Sequence, residues 1–127
     1  MDTSVNILNW FEIPAQDIAR AKKFYEEVFS IEMPLTEMMG MEMAFFPYDN
    51  SSGKVGGALV KSPMHTPGAD GPKIYLNGNP DLGEALGKIE AAGGQVTMPK
   101  TLIDEETGYM AFFIDTEGNM IALHSNK

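Results

Sequence analysis

Cysteine is absent from this 127-residue chain, so no disulfide, thiolate ligand or thiolate nucleophile is available, although that absence does not fix the compartment. Basic residues are scarce: nine Lys and Arg stand against eighteen Asp and Glu, a formal charge of −9. Phosphate backbones and polybasic membrane contacts both need clustered cations, so neither nucleic acid nor a membrane surface is an expected partner. No apolar run approaches bilayer-spanning length, and Met1-Asp2-Thr3-Ser4 is unlike a basic-then-apolar signal segment, which makes the cytoplasm the expected location. There is no Gly-x-Ser-x-Gly elbow, phosphate loop, dinucleotide fingerprint or His-Glu-x-x-His pair. Tryptophan occurs once, at Trp10, and histidine twice, at His65 and His124.

What the chain does have is a repeat. Met43-Ala44-Phe45-Phe46 recurs as Met110-Ala111-Phe112-Phe113, 67 residues on (110 − 43). Before each copy lies a helix-like segment opened by an aspartate, Asp17 or Asp81, 64 residues apart (81 − 17). After each copy lies an apolar run, Gly57-Ala58-Leu59-Val60 or Ile121-Ala122-Leu123-His124. Two elements at nearly one offset imply two copies of one supersecondary unit. We expect one domain over residues 1–127, with a first module over about 1–62, a Pro/Gly-rich linker over about 62–72 and a second module over about 73–127.

In each half the order reads strand, helix, three strands. Val5 to Ile13 alternates as a strand, with Leu8, Trp10 and Glu12 on the face away from the helix, and we expect it to be central. Asp17 is a suitable N-cap for a helix whose stripe is Ile18, Ala21, Tyr25 and Val28. Strands follow over about Ile31 to Met38, Met41 to Pro47 and Val55 to Lys61, with turns at Met39-Gly40 and Asp49 to Gly53. In the second half Lys73 to Asn77 is a short strand, and Asp81 with Glu84 forms a capping box for a helix ending at Gly93-Gly94. Gln95 to Leu102, Tyr109 to Asp115 and Asn119 to Ser125 complete it, with a tight turn at Glu117-Gly118. The fold class is therefore α+β, two tandem βαβββ modules whose helix-free faces curl into an open cleft.

The segments Trp10-Phe11-Glu12-Ile13-Pro14-Ala15-Gln16-Asp17, Ala21-Lys22-Lys23-Phe24-Tyr25 with Phe29, Ala91-Ala92-Gly93-Gly94 and Phe113-Ile114-Asp115-Thr116-Glu117-Gly118-Asn119 resemble the vicinal oxygen chelate superfamily, the group of glyoxalase I, bleomycin-resistance proteins and extradiol dioxygenases. The resemblance spans almost the whole chain. It implies the fold, but the superfamily hosts isomerases, lyases, dioxygenases, thiol transferases and binding proteins. It also implies where a metal would sit, with ligands on the first and fourth strands of each half. Those positions map to Trp10, to Ile74 or Lys73 (the latter if Asn79-Pro80 hides an insertion), to Ala58 and to Ala122. None is a metal-ligand type, so no metal site and no cofactor is expected at these positions, while a divalent metal held elsewhere stays open. Relatives of this kind are often dimers, so a homodimer is expected.

The remaining polar chemistry of the cleft centres on Glu12. It is a general base, a receptor for a cationic ligand, a displaced metal ligand, or a carboxylate satisfied by its neighbours. His124, on the cleft face of the last strand, is the candidate acid–base partner of Glu12, or else a solvated strand-end histidine. His65, in the linker, is expected on the surface. Trp10 either stacks on a ligand or fills the space of the missing metal. The expected ligand-binding cleft is thus Trp10, Glu12, Ala58, Tyr75, Ala122 and His124, with Glu12 and His124 the catalytic candidates. The expected function is metal-free binding of a small organic molecule, as in bleomycin-resistance proteins. The alternative is a glyoxalase-like lyase or isomerase reaction using Glu12, with or without a relocated divalent metal.

Overall fold

In the computed structural model, which describes residues 2–49, 51 and 53–127, the elements follow the repeated order. They are β1 (Trp10–Pro14), α1 (Ile18–Phe29), β2 (Leu35–Met38), β3 (Met41–Phe45), β4 (Gly56–Lys61), β5 (Tyr75–Asn77), α2 (Gly83–Leu86), β6 (Gln95–Asp104), β7 (Gly108–Ile114) and β8 (Met120–Ser125). They form two four-stranded sheets of matching order, β1-β4-β3-β2 and β5-β8-β7-β6. The class is α+β, built of two βαβββ modules. Asn50 and Ser52, in the expected loop from Asp49 to Gly53, and Met1 lie outside the described residues.

The first helix forms as its sequence directs. The Asp17 carboxylate accepts the Arg20 N–H at 3.0 Å, and Ile18, Ala21, Phe24, Tyr25 and Val28 are buried along one stripe. Burying each large apolar side chain contributes about 1.5–3 kcal/mol, which outweighs the modest helix propensity of aromatic and β-branched residues. The chain leaves α1 through Ser30 in the left-handed region (φ 55°). The second helix corrects the expectation. Only Gly83–Leu86 is α-helical, and the rest, to Gly93, is a series of turns. Gly83 and Gly87 both lie in this stretch, and each disfavours helix by about 1 kcal/mol relative to Ala. Asp81 accepts the Gly83 N–H (2.8 Å) but is also bonded to Lys100 Nζ (2.8 Å), so it ties the turn to β6. The inward side chains Leu82, Ala85 and Ile89 are buried all the same.

Two further differences concern β1. It begins at Trp10 rather than Val5, and it is the end strand of its own sheet, pairing only with β4. Its end meets the second module, where the Pro14 carbonyl accepts from the Asn119 amide. One continuous core on the helix side takes residues from both halves, Ile13, Phe24, Tyr25 and Leu59 with Leu82, Ile89, Phe113 and Leu123. A smaller cluster on the other face of the first sheet holds Met43, Ala58 and Val60, covered by Trp10, Met41 and Phe45.

A polar clamp fastens the two modules. Asp115, only 4 % exposed, accepts the Tyr25 hydroxyl (2.7 Å), the Glu117 and Asn119 N–H groups (2.9 Å each) and the Asn119 amide (3.1 Å). Asn119 also donates to the Pro14 carbonyl at 2.7 Å. Glu117, with no exposed side-chain surface, accepts from the Gln16 and Asp17 N–H groups and from Arg20. Burial alone would raise the Glu117 carboxyl, but these hydrogen bonds hold it below its ordinary range. Burial, and then the Asp115 charge, push the Tyr25 phenol well above its ordinary value.

Strand register settles how the modules correspond. Glu12 pairs with Ala58 in the first sheet, and Tyr75 pairs with Ala122 in the second. Ala58 and Ala122 are equivalent, since Phe45 and Phe112 face them across β3 and β7. Tyr75 is therefore the counterpart of Glu12, 63 residues on (75 − 12), whereas Asp17 and Asp81, which precede the two helices, are 64 apart (81 − 17). The second module carries one extra residue between strand and helix, in the stretch that includes the cis Asn79-Pro80 bond. Lys73 then corresponds to Trp10, and Ile74 faces the helix-side core.

Candidate functional site

Alternation along β1 puts Trp10 and Glu12 on the helix-free face, beside Ala58 on β4. Ala58 is fully buried beneath this layer. The Trp10 ring meets Phe45 and Tyr48 edge-on, with centroids 6.0 and 5.9 Å away, and its Nε1–H donates to Glu12 Oε2 at 3.3 Å. In the second module Tyr75 meets Phe112 edge-on at 6.1 Å, and Ala122, which pairs with both, is fully buried. Ala58 and Ala122 thus act as space for neighbouring rings and expose no surface to a ligand.

The two histidines exchange their expected parts. His65 Nε2 lies 2.7 Å from Glu12 Oε1 and its Nδ1 lies 2.6 Å from Ser62 Oγ. Its side chain is 15 % exposed, so it is a largely covered partner of Glu12 and not a surface residue. His124 is bonded to the Thr107 carbonyl in the β6–β7 hairpin at 2.6 Å, and that acceptor requires its Nε2 to donate. The structure therefore brings together Trp10, Glu12 and His65, and leaves His124 on a different hydrogen bond. Sequence spacing missed His65 because a turn in the linker, closed by the His65 N–H on the Ser62 carbonyl, folds it back over β1.

Two cavities are lined by residues of both modules. A cavity of about 390 Å³ is lined from the first module by Leu8, Phe11, Phe29, Phe46, Tyr48 and their neighbours, and from the second by Ile74 to Asn77. Most of these side chains have the opposite parity from the expected cleft: Phe11, Phe46, Ile74 and Leu76 pack against the helix-side core. Of the expected cleft residues only Tyr75 lines it. Two glycines shape the wall. A Cβ on Gly56 would clash with the Tyr48 ring, and one on Gly57 with the Phe11 ring. The Gly56-Gly57 pair inside a strand was the sequence signal of this close approach. A second cavity of about 380 Å³ holds Glu12 and Asp70 with Thr66, Ile74 and Met120.

The residues do not fit the metal that the resemblance implies. The positions concerned hold an indole, two buried methyl groups and Lys73, whose ammonium is bonded to the Ala69 and Gly71 carbonyls (3.0 Å each). Among the described residues no three His, Cys, Asp or Glu side chains stand together as metal ligands. Nor is any helix there long and apolar enough to cross a membrane.

Comparison with known proteins agrees with the fold. A variant of glyoxalase I from Zea mays superposes with a TM-score of 0.71 at 16 % identity, covering 92 % of this chain and 46 % of the maize chain, so this chain spans about half of that protein. The trypanothione-dependent glyoxalase I of Leishmania major gives 0.66 at 18 % identity over 95 % of this chain and 87 % of that one. TnmS3, an antibiotic-binding protein from Streptomyces sp. CB03234, gives 0.66 at 21 % identity over 99 % and 100 %. No curated protein matches the sequence significantly. The family model for the Glyoxalase/Bleomycin resistance protein/Dioxygenase superfamily matches residues 7–123, nearly the whole chain, and the protein belongs to that superfamily.

Proposed function

We propose that this protein binds a small, neutral, largely apolar organic molecule at the seam between its modules, without a metal. The observation that carries this reading is the cavity of about 390 Å³ walled by Phe11, Phe29, Phe46, Tyr48 and Tyr75. Its size falls in the range of small-molecule sites, and a mainly apolar lining with a few polar groups is typical of them. The tyrosine hydroxyls and Asn77 supply those polar groups. The charge of −9 disfavours anions, and the likeness to an antibiotic-binding protein points the same way.

Titration with 1-aminoanthracene, a neutral aromatic fluorophore, tests this. Saturable one-to-one binding is expected, with a change in Trp10 emission, because Trp10 contacts the wall residue Tyr48. Val55→Trp, which places an indole in the lining, should weaken binding at least tenfold. No saturable binding, or binding indifferent to Val55→Trp, would sink the proposal.

A second reading, a lyase or isomerase reaction at Glu12, draws on the other cavity, where Glu12 and Asp70 are both wall residues. Near-stoichiometric divalent metal in protein purified without tag or chelator, lost in Glu12→Gln, would move that reading ahead. We also propose a homodimer, with the exposed Val5, Ile7 and Leu8 as apolar surface for its contact; sedimentation velocity decides it.

A further inference from the structure

A hydrogen-bonded chain joins Ser62, His65 and Glu12, with Ser62 Oγ 2.6 Å from His65 Nδ1 and His65 Nε2 2.7 Å from Glu12 Oε1. Chemistry sets the direction of the protons. A carboxylate only accepts, so Nε2 carries a hydrogen; when the ring carries no second one, Nδ1 accepts the Ser62 hydroxyl proton, and that is the form in which His65 can act as a base. The Met64 N–H donates to Ser62 Oγ at 3.1 Å, which leaves the hydroxyl proton for the imidazole. The other Glu12 oxygen is held by Trp10 at 3.3 Å. Ser62 and His65 are fixed relative to each other by a turn closed at 3.2 Å, with Pro63 inside it.

The geometry points to Ser62 as a nucleophile, with His65 as its base and Glu12 as the group that orients the base, accepting acyl groups from activated esters. This does not depend on the binding proposal. Ser62 faces an open hollow of about 410 Å³ on whose wall lie Gln16, Lys61, His65 and Thr66. Ser62 Oγ attacks the ester carbonyl carbon and its proton passes to His65 Nδ1. The bond from that carbon to the leaving oxygen breaks, and the leaving aryloxide takes the proton from His65. Water, deprotonated by His65, then hydrolyses the acyl-serine to a carboxylic acid and free Ser62. No redox step occurs.

Stabilisation of the oxyanion is the weak part of the arrangement. The Met64 N–H is bonded to Ser62 itself and the Gln16 N–H to Glu117, which leaves side-chain donors such as Gln16 and Lys61. Side chains are less preorganised than paired backbone donors. A burst of acylation followed by slow release is therefore expected, with esters of good leaving groups as the substrate class.

The test is p-nitrophenyl acetate, followed by its p-nitrophenolate burst and by peptide mass spectrometry. We expect close to one acetyl per chain, on Ser62, and no burst in Ser62→Ala. His65→Gln should slow the burst about 100-fold, and Glu12→Gln at least tenfold. Acetyl spread over lysines, or Ser62 labelled no faster than the exposed Ser4 and Ser51, would overturn the proposal, as would a burst indifferent to His65→Gln. A purely structural Ser62–His65 turn predicts that last result. Circular dichroism checks folding of the variants; if His65→Gln does not fold, the ratio of Ser62 to Ser51 labelling in the unaltered protein decides.

Discussion

The two modules share one topology and the same pairing of first, fourth and third strands, yet their residues at equivalent places differ. In the first, the position opposite the central alanine of the fourth strand is Glu12, bonded to Trp10 and His65. In the second it is Tyr75, half exposed and set edge-on to Phe112. The first module has a full helix of 12 residues; the second has four helical residues followed by turns. The second module in exchange supplies Asp115, Glu117 and Asn119, which hold Tyr25 within the first module's helix, the start of that helix and the end of β1. Repetition fixes the scaffold, and the proposed chemistry draws on residues at which the copies differ.

The largest expected effect comes from breaking the clamp. Asp115→Ala removes the acceptor of four hydrogen bonds and leaves buried donors on Tyr25, Glu117 and Asn119 unpaired. At about 1–3 kcal/mol for each buried group left unsatisfied, we expect a loss of at least about 3 kcal/mol in urea unfolding. A loss under about 1 kcal/mol would mean that the seam is held by apolar packing alone.

Acid should weaken the same contact by a smaller amount. The Glu117 carboxyl is held below its ordinary value of 4.5 in the folded protein, so the unfolded chain takes up its proton first. Its contribution is complete above about pH 4.5 and is lost as pH falls through the lower folded value. The melting temperature of Glu117→Gln should accordingly change less between pH 5 and pH 3 than that of the unaltered protein.

The smallest effect sharpens the comparison of the helices. Asp17→Ala removes a cap from a 12-residue helix and should cost about 1 kcal/mol. Asp81→Ala should cost less, because its acceptor serves one turn and an exposed lysine. Equal losses in thermal unfolding would contradict the division of roles between the modules.

Much of the scaffold was legible from local pattern. The repeated Met-Ala-Phe-Phe and the helix stripe of Ile18, Ala21, Tyr25 and Val28 specify periodicity, and periodicity determines which face is buried. Asp17 and Glu117-Gly118 marked a helix start and a turn because capping and left-handed geometry are properties of a few consecutive residues. The second helix was overread because an apolar stripe at Leu82, Ala85 and Ile89 is buried equally well by turns once Gly83 and Gly87 weaken the helix.

The sequence by itself also settled that cysteine chemistry is absent and that the charge is acidic. Only the tertiary structure decided the distant partner of Glu12. A linker turn brings His65 to it, and Ser62 to the other nitrogen of that imidazole, a contact 53 residues apart in sequence for His65 that no local spacing encodes. Tertiary packing likewise put the apolar cavity on the helix side of the seam, since that void is the space left where Phe11 and Phe46 meet Ile74 and Leu76. Local pattern sets which way a side chain points; what it meets there depends on how the two modules dock.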